Sequence, residues 1–79
     1  MITGRQIREA RALMRWTVPS LSVRSRIPEH IIGCAESVPG KPNMTRDQFE
    51  ALRRTFEQAG VEFLNHRQPG VRLRKGLVE

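Results

Sequence analysis

Residues 16–36, WTVPSLSVRSRIPEHIIGCAE, hold this chain to a narrow choice of folds. Thr17 can cap a helix whose opening turn contains Pro19 and Ser20, where a missing proline N–H costs nothing. Leu21 supplies an inward apolar anchor, and Ser22 is small enough for a second helix to cross closely. Ser25, Arg26 and Ile27 break the pattern, and Pro28 restarts a helix at a position that suits proline. Ile31, Ile32 and Ala35 follow, the last two on one face at helical spacing. Two helices this short cannot bury enough surface alone, so the rest of the chain must supply flanking elements.

The flanks carry the signals for them. Thr3-Gly4-Arg5-Gln6 fits a capping box, and Ile7, Ala10 and Met14 recur on one face with Leu13 beside them. This predicts a helix to about Met14, with Arg5, Arg8, Glu9 and Arg15 outside and Trp16 plugging the core at the join. SVPGKPNM, residues 37–44, reads as a loop. Thr45-Arg46-Asp47-Gln48 is a second capping box, and Phe49, Leu52, Phe56 and Ala59 form the clearest amphipathic stripe before Gly60 ends the helix. The period then changes to two. Val61–Leu64 and Val71–Arg74 alternate around NHRQPG, which predicts a short hairpin over about 61–75 with Val61, Phe63, Val71 and Leu73 inward. An exposed edge of that hairpin offers a dimer contact, and the last residues, 75–79, read as a frayed tail.

Seventy-nine residues make a single domain, 1–79, near the lower limit for a self-supporting core. Fourteen Lys and Arg against eight Asp and Glu give a formal charge of +6, which favours a polyanionic partner such as nucleic acid. One cysteine excludes an internal disulfide and suits a reducing compartment. No apolar run approaches the roughly 18 residues that span a bilayer, and the arginine-laced first helix has no signal-peptide layout. A cytoplasmic location with no membrane partner follows as the expectation.

The stretch 16–36 resembles the helix-turn-helix of the lambda-repressor/Cro-like (XRE-type) DNA-binding family in its short bacterial form. Trp16-Thr17, Leu21-Ser22, Ile27, Ile32 and the closing Glu36 carry the resemblance, and the flanks ITGRQIREARALMRW and FEALRRTFEQAGVEFL extend it over most of the chain. It implies a mainly α, four-helix domain with the helix-turn-helix at about 17–36, followed by the C-terminal two-stranded hairpin. It also implies an ion pair between Arg11 and Glu36 that ties the first helix to the third, since a partly buried charge must find a partner. Arg11 can in addition face a phosphate.

In helix-turn-helix proteins the second helix enters the major groove. The resemblance carries base reading to Pro28, Glu29, His30 and Cys34, with Ile31 and Gly33 alongside. Glu29 can accept from a cytosine amino group, His30 can reach a guanine or a phosphate, and Ile31 can touch a thymine methyl. Phosphate positioning falls to Thr17, Ser20, Arg24 and Arg26, with Lys41 and Asn43 from the following loop. The chain departs from the family where Val18, Pro19 and Ser20 replace glutamine, alanine and glutamate, and where Arg26 replaces the turn glycine. A positive φ at Arg26 implies mild strain, or a turn that differs in detail.

Two functions from different classes follow. The first is a sequence-specific transcriptional regulator, a repressor or Cro-like switch protein of a phage or mobile element, binding near-palindromic double-stranded DNA as a homodimer. The second is a degenerate helix-turn-helix serving as a protein-interaction module, antiactivator or antitoxin-like, through exposed Val18, Pro28, Ile31 and Cys34. Clustered Arg15, Arg24, Arg26 and Lys41 favour the first. His30, Cys34 and His66 are too few and scattered for a zinc site, and no nucleophile–base pocket or phosphate loop appears. The sequence therefore predicts no enzyme, no metal, no cofactor and no small-molecule ligand.

Overall fold

In the computed structural model, which describes residues 2–64 and 70–73, the two capping boxes set the starts of the longest helices. The order is α1 (Gly4–Met14), α2 (Val18–Ser25), α3 (Glu29–Glu36), α4 (Arg46–Gln58), β1 (Val61–Leu64) and β2 (Gly70–Leu73). Thr3 accepts from the Gln6 N–H while Gln6 returns the bond to the Thr3 N–H, and Thr45 and Gln48 repeat the arrangement at α4. The chain is thus mainly helical, with a two-stranded antiparallel hairpin after the last helix.

One core serves every element. Ile7 and Ala10 from α1, Leu21 from α2, Ile32 and Ala35 from α3, Leu52 and Phe56 from α4, and Val61 from β1 are buried together, with Ile2 and Ile27 filling the gaps. Trp16 packs at the join as a plug, stacked on Phe56 with ring centroids 5.4 Å apart. Phe63 meets Phe56 edge-on, with ring centroids 5.7 Å apart. Gly60, at φ 98°, turns α4 directly into β1, a conformation glycine adopts without steric cost.

The hairpin pairs Val61 with Leu73, Glu62 with Arg72, Phe63 with Val71 and Leu64 with Gly70. Gln6 fastens it to α1, its side-chain amide donating to the carbonyls of both Leu64 and Gly70 at 3.0 Å. The expected connection at 65–69, with His66, the outer positions 74 and 75, and the tail to 79 lie outside the described residues.

The structure corrects three expectations. Leu73 is 54% exposed, because it pairs with Val61 at the end of the hairpin opposite the Leu64 and Gly70 carbonyls that Gln6 fastens. Leu13 is 41% exposed on the flank of α1 and adds nothing to the stripe of Ile7, Ala10 and Met14. Pro28 precedes α3 as its extended N-cap residue, and the helix begins at Glu29.

Candidate nucleic-acid interface

The three residues between α2 and α3 form a tight connection with defined chemistry. Arg26 closes α2 in the left-handed region, at φ 63° and ψ 28°, and its N–H donates to the Ser22 carbonyl at 2.8 Å. An L-residue pays roughly 1–2 kcal/mol for that conformation, so the surrounding bonds must hold it. They do so from both sides. The Ser22 hydroxyl donates to the Ile27 carbonyl at 2.6 Å, and buried Ser25 donates to the Leu21 carbonyl while accepting from the Ile27 N–H. Ile27 is thereby pinned into the core, and the α2–α3 angle is set by two serines and one isoleucine.

α3 presents two unlike sides. Its inner side sends Ile32 and Ala35 into the core and commits Glu36 to Arg11. That pair is bidentate: Arg11 Nε donates to Oε2 at 2.8 Å and Nη2 to Oε1 at 2.9 Å, while Nη1 reaches the Trp16 carbonyl at 3.0 Å. The Glu36 carboxylate raises the Arg11 pKa above its ordinary value, against the opposing pull of burial. With all three guanidinium nitrogens engaged, Arg11 is a strut between α1, α3 and the chain before α2. One N–H on each terminal nitrogen stays free beyond these bonds, on a side chain 23% exposed.

The outer side is open. Pro28, Glu29, His30, Gly33 and Cys34 are exposed, and a Cβ added at Gly33 would meet nothing within 4 Å. Ile31 differs from its expected place among them, since it is half-buried against the core. Val18 is half-buried there too. Of the apolar patch expected from Val18, Pro28, Ile31 and Cys34, Pro28 and Cys34 are fully exposed and the other two only in part, while Val23 of α2 is 80% exposed.

Thr17, Ser20 and Arg24 are brought together at the start of α2. Thr17 caps the helix by accepting from the Ser20 N–H, and Arg24 lies back along the helix, its Nε 3.4 Å from the Ser20 hydroxyl. Its guanidinium rests 4.5 Å from the centre of the Trp16 ring, which holds the charge in place without neutralising it. Among the described residues neither Arg24 nor Arg26 forms an ion pair. Exposed Arg8 and Arg15 on and just after α1 are likewise unpaired among those residues.

No protein-family model matches this chain, and a search of the curated proteins finds no match.

The loop residues divide. Asn43 is exposed, whereas Lys41 lines a cleft with Arg46 and Arg53 of α4 and so belongs to another surface. Sequence reasoning missed Gly4. It packs so closely on the carbonyls of Ala35 and Val38 that a Cβ would collide with both, and its N–H donates to the Gly40 carbonyl at 2.8 Å. That contact fixes the end of α3 against the start of α1. Among the described residues no helix is long and apolar enough to cross a membrane.

Proposed function

We propose that this chain is a small sequence-specific DNA-binding transcriptional regulator of the lambda-repressor/Cro-like kind, acting as a dimer with α2 and α3 as its helix-turn-helix. The observation that carries the reading is the open outer side of α3, preceded three residues earlier by Arg26, which forms no ion pair among the described residues. A formal charge of +6 supports it, because phosphate neutralisation supplies most of the nonspecific affinity of such proteins.

In this reading α3 enters the major groove N-terminus first. Glu29 and His30 lead, the former accepting from a cytosine amino group and the latter donating to a guanine. Gly33 has no side chain to hold the helix off the base edges, and Cys34 sits one turn behind His30. Arg26 and the Thr17–Ser20–Arg24 group take phosphates on either side, which positions the helix without reading sequence. Arg11 and Glu36 keep α3 at its angle to α1. Two copies would set their α3 helices about one DNA turn, roughly 34 Å, apart.

The test is a titration of purified protein against the DNA upstream of its own gene and a scrambled duplex, at two salt concentrations. Steep salt dependence with preference for the native duplex is expected. His30→Ala should lose that preference, while Arg26→Ala should weaken both duplexes alike. Identical behaviour of the two variants would refute the division of roles, and absence of binding would refute the regulator itself.

A further inference from the structure

A cleft lies on the side of α4, with no residue of α2 or α3 in its lining. Its volume is about 680 Å³, with room for several side chains. Ile2, Met44, Phe49 and Phe63 make its floor. Phe49, Met44 and Phe63 are only half-buried, so the fold leaves aromatic and thioether surface facing out here.

The rim carries charge in an unusual order. Arg46, Glu50, Arg53 and Glu57 all line the cleft, alternating in sign along one side of α4. Arg46 and Glu57 lie equally far from the point between Ala51 and Leu52, and so do Glu50 and Arg53. A two-fold axis through that point, perpendicular to the helix, exchanges each arginine with a glutamate. An antiparallel copy of α4 laid in the cleft would thus put Arg46 against Glu57, and Glu50 against Arg53, in both directions at once. The outer charges are about 16 Å apart at the α-helical rise. Within one chain Arg53 is bonded to Glu50 at 2.6 Å, and this pair lowers the Glu50 pKa, but neither Arg46 nor Glu57 forms an ion pair among the described residues.

We propose that this face is a homodimer interface, in which α4 of each copy lies antiparallel in the other's cleft with Arg46 paired to Glu57 across the two-fold axis. A closed two-fold dimer uses the same patch on both copies, so the patch must complement itself, and alternating charge about a midpoint does so. The identity of the occupant follows from the charge. Two molecules that each carry +6 repel, and a face where Lys41, Arg46 and Arg53 stand against Glu50 and Glu57 carries only +1 of that charge and lets them approach. Nothing lining the cleft belongs to α2 or α3, so the dimer leaves the outer side of α3 free. The inference deepens the dimer part of the proposed function, and it is tested without DNA.

Sedimentation equilibrium across a concentration series reads the association. The wild-type protein is expected to dimerise. Arg46→Glu and Glu57→Arg should each weaken the dimer about tenfold, since each turns two exposed attractions into repulsions. Mixing the two variants should restore association as a heterodimer, and the double variant R46E/E57R should restore it as a homodimer. Arg54→Glu, the same charge change off the cleft, controls for net charge and should not weaken the dimer. A monomeric wild type, or failure of both the mixture and the double variant to recover, overturns the interface. A small amphipathic ligand occupying the cleft of a monomer would be one way for that to occur. Monomers that still prefer the native duplex would sink this inference and the dimer part of the proposed function but not its DNA binding, whereas a dimer indifferent to DNA would sink only the regulator.

Discussion

The two sides of α3 obey different rules although they share eight residues. On the inner side Ile32 and Ala35 are buried and Glu36 is held by Arg11 of α1, which also donates to the Trp16 carbonyl. On the outer side Glu29, His30, Gly33 and Cys34 touch little of the chain itself. Packing dictates the first set, so substitutions there should register as stability. The second set contributes almost nothing to the fold, so any constraint on it comes from a partner.

The sharpest way to break this comparison is at Gly4, which belongs to the inner side's support. Gly4→Ala drives a Cβ into two backbone carbonyls that cannot swing away, and should cost about 3 kcal/mol or prevent folding. Urea denaturation with an unchanged slope would measure it. Next comes Glu36→Ala, which strands a guanidinium only 23% exposed and loosens α3 from α1. The expected loss is about 2 kcal/mol, with salt restoring little of it because the pair is partly buried. A negligible loss would mean that Arg11 finds water as readily as Glu36.

Much of this was legible locally and little of it at long range. Both capping boxes could be read because donor and acceptor lie three residues apart. The Arg11–Glu36 pair spans 25 residues and came from the family resemblance rather than from any period in the chain. Gln6 had already been explained by its cap, which hid its amide's reach to Leu64 and Gly70. Gly4 stands within the same box, and no sequence signal marks a close backbone approach from residues 35 and 38. Leu73 and Leu13 misled because periodicity gives the side a residue faces and not whether anything covers it. At the candidate site, the openness of Glu29 and His30 was readable, while Lys41's place on the α4 cleft depended on how the loop folds back.

Two smaller effects sharpen the comparison on the outer side. Arg26→Gly removes the left-handed strain and should stabilise the fold by about 1 kcal/mol, yet weaken DNA binding on every sequence. Gly33→Ala meets open space in mid-helix and should stabilise by about 0.5 kcal/mol, while its methyl pushes α3 back from the bases. Each variant separates stability from function in a way that a purely structural α3 could not.

The central claim is that the outer side of α3 meets DNA, and amide chemical-shift mapping during titration with the native duplex tests it most directly. The largest shifts should fall on residues 29–34 and on Arg24 and Arg26, with those lining the α4 cleft unmoved. Shifts centred on Arg46–Gln58, or spread evenly over every exposed arginine, would contradict it.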